Sequence, residues 1–281
     1  MTGLRTTLSC FDRIFDEASS ENYNMSIRLQ PDGLLFSIQD HITLKYIGFQ
    51  SIMLASASEI YDFIGKSGLL RSNYYKTVCI TPSSKYTIVP GALYMPDQVE
   101  EYFQFVNHLK NDEELGTCKL LFDDAALIYA TELAYTQIVH DFFPKAVILP
   151  GVAAFSNFIL PRYRNSSTSS MFLNINHDNF DLILLNDGKL IFCNNFSFKA
   201  VEDLIYYTIF VVDQLKVNQE KVELKLSGNV DLNSDLIKLL RKYIKNVEML
   251  AIEQEVQMSY ALNDLEKHRY IDLFNPRLCE L

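Results

Sequence analysis

The clearest alternation of apolar and polar positions runs from Met171 to Gly228. MFLNI and FDLILL read as strands joined at His177-Asp178-Asn179, and Asn186-Asp187-Gly188 is a tight-turn signal. Lys189 to Asn194 then returns as a third strand. From Ala200 to Leu215 the period changes to that of a helix, with Leu204, Ile205, Thr208, Val211, Val212 and Leu215 on one broad face. Ile209 and Phe210 make this helix apolar nearly all round, so it is expected to be sandwiched. Val222 to Leu226 alternates again and runs into Ser227-Gly228.

A weaker copy of the same plan spans Met25 to Pro82. MSIRLQ and LLFSIQD flank Pro31-Asp32-Gly33, and a third strand is predicted from Ile42 to Ile52. Ser56-Ala57-Ser58-Glu59 opens a helix with a serine cap and an acid in its first turn, and Ile60, Phe63 and Ile64 form its stripe. Tyr74 to Ile80 is a strand stopped by Thr81-Pro82. Residues 1–24 read as a lead-in that closes on the polar break Ser19-Ser20-Glu21-Asn22.

Residues 85–160 connect the copies. The pattern predicts a strand over Tyr86–Val89, a helix over Asp97–His108 and a polar loop over Lys110–Gly116. It then predicts strands over Lys119–Asp123 and Ala126–Ala130, and a helix over Glu132–Phe143 capped by Thr131. A strand over Ala146–Leu149 and a buried helix over Gly151–Leu160, ended by Pro161, complete the section. RYRNSSTSS (Arg162–Ser170) is the most linker-like stretch, which divides the chain into domains 1–165 and 166–281. Beyond the second copy come a helix over Ser234–Tyr243 and a strand over Val247–Ile252. The tail from Ser259 is expected to hold a short helix and to pack back through Phe274 and Leu278.

Strand–strand–turn–strand–helix–strand, given twice, resembles the actin-like ATPase fold, in which two ribonuclease H-like domains flank a nucleotide cleft. The second copy is similar to the actin-like domains of pilus-assembly and type II secretion proteins, where a strand ends in a glycine turn as Lys225-Leu226-Ser227-Gly228 does. The chain as a whole resembles an uncharacterised Bacteroidetes family, a domain of unknown function with an actin-like ATPase fold. The resemblance covers about residues 25–255 and implies an α/β class with mixed five-stranded sheets flanked by helices.

The same resemblance implies Mg²⁺–ATP held by an Asp and glycines in each of two hairpin turns. Those turns correspond to Arg28-Leu29-Gln30-Pro31-Asp32-Gly33 and Leu173-Asn174-Ile175-Asn176-His177-Asp178-Asn179. Arg28 and Asn174 stand where the two acids belong, Pro31 removes a backbone donor, and the second turn has no glycine. Ser227-Gly228-Asn229 corresponds to the adenosine-side turn with one glycine of the usual pair. Candidate cleft positions are therefore Asp32, Gly33, Asn174, Asp178, Ser227 and Gly228. Neither a catalytic residue nor a metal ligand is assigned, and no bound cofactor is expected.

Composition narrows this further. A net charge of −10 argues against nucleic acid or an anionic membrane as the main partner. No apolar run reaches the roughly eighteen residues of a membrane span, and the early charges of MTGLRTTLSCFDRIFDE do not suit a signal peptide. Five scattered cysteines, without CxxC or a Cys/His ligand spacing, fit a reduced cytoplasmic setting. His140-Asp141 reads as a helix terminus and Asp123-Asp124 as a turn. Arg162, Tyr163 and Arg164 read as a solvated basic linker. Three functions follow. The first is a catalytically degenerate actin-like protein that binds a protein partner or serves in assembly. The second is a divergent ATPase or sugar-kinase-like enzyme using Asp32, Asp178 and Asp187. The third is a scaffold that forms homo-oligomers.

Overall fold

The computed structural model describes residues 5–120, 124–252 and 256–275. Its elements in chain order are β1 (Arg5–Phe11), β2 (Tyr23–Gln30), β3 (Gly33–Asp40), β4 (Tyr46–Met53), α1 (Ala57–Lys66), α2 (Gly68–Arg71) and β5 (Lys76–Thr81). Then follow β6 (Tyr86–Pro90), α3 (Val99–Gln104), β7 (Glu113–Lys119), β8 (Ala125–Glu132), α4 (Leu133–Phe142), β9 (Val147–Pro150) and α5 (Gly151–Tyr163). The remainder comprises β10 (Ser170–Ile175), β11 (Asn179–Asn186), β12 (Lys189–Ser197), α6 (Val201–Gln214), β13 (Glu223–Gly228), α7 (Asp235–Leu240) and β14 (Asn246–Met249).

Two sheets share one order. In the first, β4-β3-β2 form an antiparallel meander, and β5 and β9 add in parallel beside β2. The second repeats this as β12-β11-β10-β13-β14. Each meander holds one two-residue turn, Pro31-Asp32 between β2 and β3 and Asp187-Gly188 between β11 and β12, and one longer turn, 41–45 between β3 and β4 and 176–178 between β10 and β11. The parallel strands need crossovers, which α1 and α6 supply. A three-stranded sheet, β6-β8-β7, with α3 against it, is inserted between β5 and α4.

Several expectations were displaced by local chemistry. Residues 5–11, read as lead-in, form an edge strand paired with β4. β4 starts at Tyr46 rather than Ile42, because the Asp40 carboxylate accepts from the Ile42 and Thr43 amides and the Thr43 hydroxyl and makes 41–45 a turn. The polar stretch after Lys110 becomes strand β7 from Glu113, while residues 121–123 of the predicted Lys119–Asp123 strand lie outside the described residues. The helix expected over Asp97–His108 shortens to α3, preceded by a 3₁₀ turn over Pro96–Gln98. Thr131 lies in β8 rather than capping α4, and its hydroxyl pairs with that of Thr81 at 3.4 Å. Helix α5 continues through Pro161 to Tyr163, and the Arg162 guanidinium donates to the Phe158 carbonyl at 2.7 Å. Helix α6 is covered on one face only. Tyr206 and Phe210 are exposed and stack on each other with ring centroids 6.1 Å apart.

Three clusters form the main core. One lies between the first sheet and α1 and α4, through Ile27, Phe36, Ile60, Ile64 and Ile138. Another lies between the second sheet and α6 and α7, through Leu182, Leu204, Val211, Leu224 and Ile237. The largest joins the opposite faces of both sheets across α5 and the C-terminal segment, bringing together Phe49, Phe155, Phe158, Phe172, Ile183 and Phe274. Residues 256–275 contribute Leu262, Leu265, Ile271, Leu273 and Phe274 to it, all buried. At about 2 kcal/mol for each such side chain, their burial is worth on the order of 10 kcal/mol, more than a single ion pair supplies. Apolar burial therefore holds this segment, as its Phe274 suggested; Leu278 lies outside the described residues.

Candidate functional site

Both sheets turn their parallel strand ends toward the C-terminal segment. Arg28, near the end of β2, donates through Nη1 to both carboxylate oxygens of Asp272 at 2.8 and 2.9 Å. Asp272 is buried at 5% exposure. Next to it the Ser37 hydroxyl donates to the Leu273 carbonyl at 2.9 Å, and the Phe274 ring packs edge-on against Tyr46 with centroids 5.1 Å apart. On the second sheet, Arg269 donates to Asn229 Oδ1 at 2.6 Å and to the Asp231 carboxylate. The His268 ring lies 2.8 Å from the Val230 carbonyl. One short segment thus occupies the ends of β2 and β13 together.

The sequence-predicted positions do not converge. Asp32 is exposed in its turn, where it accepts from Gln30 Nε2 at 2.7 Å and its carbonyl takes the Leu54 amide at 3.0 Å. Gly33, at φ 145°, lets β3 pass β4, since a Cβ there would sit 2.0 Å from the Ile52 carbonyl oxygen. Asp178 is exposed in the β10–β11 turn, accepting from Asn179 Nδ2 at 2.8 Å. Asp187 is at the opposite end of β11, in the β11–β12 turn at φ 48°. Gly228, at φ 82°, brings the chain so close to β10 that a Cβ would lie 2.1 Å from the Ile175 carbonyl oxygen. Ser227 is buried, its hydroxyl 3.2 Å from Asn174 Oδ1 and 3.3 Å from the Leu173 carbonyl. Of the six candidates, Asn174, Ser227 and Gly228 are neighbours; Asp32 and Gly33 lie together at the β2–β3 turn and Asp178 in the β10–β11 turn.

Beside Asn174 lies a group that pattern reading missed. Asp181 pairs with Asn174 across β10 and β11 and is buried. Its carboxylate accepts from Asn195 Nδ2 at 2.9 Å and from the Tyr86 hydroxyl at 3.1 Å. Burial raises its pKa to about 6, against the opposing pull of Asn195, Tyr86 and Asn174. Burial likewise drives the Tyr86 hydroxyl well above its ordinary value, and the Cys193 thiol, 3.6 Å from that hydroxyl, is raised too. Tyr86 comes from the inserted sheet, so this buried polar cluster ties the insert to the second sheet. The signal in the sequence was a lone acid in the apolar strand NFDLILL.

These groups do not fit Mg²⁺–ATP. At the first turn the cation Arg28 is neutralised by Asp272, and Phe274 and Leu273 are packed beside it. At the second, Asn174 is spent on Ser227 and Asp181, and the exposed Asp178 turns to Asn179. At the third, Arg269 holds Asn229. Among the described residues no group of three or more His, Cys, Asp or Glu is placed to hold a metal ion. A cavity of about 490 Å³ lined by Glu114, Tyr129, Thr131, Val139, His140 and Phe143 contains none of the turn positions. His140, at the end of α4 as expected, lies 3.0 Å from the Asp141 carboxylate. Of Asp123-Asp124, Asp123 lies outside the described residues, and Asp124 accepts the Gly91 amide on its carbonyl.

Two mixed sheets of ribonuclease H-like order, flanked by helices and joined through one buried core, define an actin-like ATPase fold. The chain belongs to the family described as protein of unknown function (DUF3822), which it matches over residues 12–247. Its fold is similar to that of a Bacteroides thetaiotaomicron protein with an actin-like ATPase fold and unknown function. That likeness has 24% identity, covers 84% of this chain and 94% of the other, and has a TM-score of 0.78. The type IV pilus biogenesis complex PilM–PilN contains a chain similar at 12% identity, covering 92% and 98%, with a TM-score of 0.61. The cytoplasmic domain of EpsL, an inner-membrane component of the Vibrio cholerae type II secretion system, is similar at 12% identity, covering 92% and 95%, with a TM-score of 0.47. No curated protein matches. Among the described residues no helix is long and apolar enough to cross a membrane.

Proposed function

We propose that this protein is a catalytically degenerate member of the actin-like fold, a pseudo-ATPase that binds a protein partner or serves in assembly. The observation that carries the reading is the Arg28–Asp272 pair, in which a cation neutralised by the chain's own carboxylate stands where the resemblance expects an Asp that orients Mg²⁺. The reading divides the chain into domains near residue 165, with residues 256–275 bridging them. It places the protein in the cytoplasm, in keeping with four separate free cysteines among the described residues. PilM, of like fold, is a component of a complex with PilN, which favours a protein partner. The competing ATPase would have to use Asp32, Asp178 and Asp187, which are exposed and lie on three different turns.

Thermal denaturation with ATP or ADP, with and without Mg²⁺, tests this directly, because a ligand of the folded state raises the melting temperature by mass action. No nucleotide should move the midpoint at millimolar concentration. A Mg²⁺-dependent rise that disappears in Asp178→Ala would overturn the reading.

A further inference from the structure

Between residues 85 and 132 the chain carries nine Asp and Glu against three Lys, a net of −6 where the whole chain has −10. The same insert exposes apolar surface. Phe105 is 89% exposed, Leu93 63%, Val106 62% and Met95 51%. Tyr102 joins them, its hydroxyl donating to the Leu93 carbonyl at 2.5 Å. Phe105 and Val106 follow Tyr102 by three and four residues and so share its face. Met95 leads from Leu93 into the turn that opens α3. The opposite face is anchored, since Phe103 is fully buried against Val89, Ile128 and Ala130. The outer face therefore cannot roll inward to hide Phe105.

Asp97, Glu100 and Glu101 are exposed beside this patch, and none of the three is in an ion pair among the described residues. The insert's Lys85 is already taken by Glu113. Charge therefore selects what can cover the surface. An anionic bilayer or a nucleic acid meets repulsion, and a second copy laid patch to patch brings another net −6. We propose that the insert docks a basic amphipathic segment of a partner protein, with apolar side chains on Leu93, Phe105 and Val106 and Lys or Arg facing Glu100 and Glu101. This rests on the reading of the chain as a binding module and names the surface and the chemistry it recognises.

The probe is a labelled helical peptide of Leu and Lys, with Leu at i, i+3, i+4 and i+7, titrated with the full chain and followed by fluorescence anisotropy. Binding should weaken at least about tenfold in Phe105→Ser and in Glu100→Lys/Glu101→Lys, and should weaken as salt is raised. It should be unchanged in Glu21→Lys/Asp62→Lys, which makes the same charge change at two other exposed acids. Unaltered melting temperatures of the variants show that the fold is kept. Equal binding by Phe105→Ser overturns the proposal. So does preferential binding to phosphatidylserine vesicles, or a sedimentation mass that doubles with concentration and is halved again by Phe105→Ser. The nucleotide melting test does not involve the insert. A failed titration with no nucleotide shift removes the docking surface alone, whereas a Mg²⁺-dependent shift with an intact titration removes the degenerate reading alone.

Discussion

Asp181 shows how one side chain can carry a pH dependence for the whole fold. Its folded pKa of about 6 lies above that of an unfolded aspartate, so the folded state holds its proton more tightly. Stability from this group is fully present below the unfolded value near pH 4 and is lost as the pH rises through about 6. Asp181→Asn keeps an oxygen to accept from Tyr86 and Asn195 but cannot ionise. The variant should gain on the wild type by about 3 kcal/mol between pH 4 and pH 7, from two pKa units at about 1.4 kcal/mol each. Urea denaturation at the two pH values measures the difference, and a constant offset would contradict the assignment.

At the scale of elements, the C-terminal segment is fastened by apolar burial and positioned by Arg28–Asp272. Asp272→Ala would leave the Arg28 guanidinium, itself largely covered, without its partner, at a cost of about 3 kcal/mol. Replacing both residues, as Arg28→Met/Asp272→Leu, should cost less than about 1 kcal/mol, because two apolar side chains suit the site nearly as well. A double-mutant cycle by chemical denaturation separates the two outcomes. The repeated meanders were legible because each turn is local. Asp187-Gly188 and Pro31-Asp32 announce themselves in a few residues, and the Ser56 cap of α1 does the same, its hydroxyl accepting from the Glu59 amide. The fastening was not legible. Arg28 and Asp272 are 244 residues apart, and Tyr86 and Asp181 are 95 apart, so no local pattern pairs them. Strand β1 was missed for the same reason, since its partner β4 lies beyond two other strands. Helix α6 misled in another way. Its outer aromatics pack on one another and on Phe196 of the edge strand β12 instead of on a further layer.

For the molecule as a whole, the two sheets are joined by a core that neither completes alone. Phe49 from the first sheet, Phe172 and Ile183 from the second and Phe155 and Phe158 from α5 share one buried cluster with Leu262, Leu265, Ile271, Leu273 and Phe274 of the segment 256–275. Phe49 packs directly on the Tyr270 and Phe274 rings. A chain ended after Ile252 would present the rings of Phe49, Phe155, Phe158 and Phe172 to water. We expect it to be recovered as aggregate, or as a soluble form that binds a hydrophobic dye and is cut by protease within Arg164–Ser169. A truncated chain as protease-resistant and as cooperative in melting as the full one would show that the segment is dispensable.

The position of that segment also orders synthesis. Domains fold as they leave the ribosome, in sequence, and the meander of β2–β4 can form while most of the chain is still untranslated. The central core cannot. Until residues 256–275 have emerged, the nascent protein holds two finished sheets around an open aromatic surface. The interval before closure is therefore when this chain most needs a chaperone.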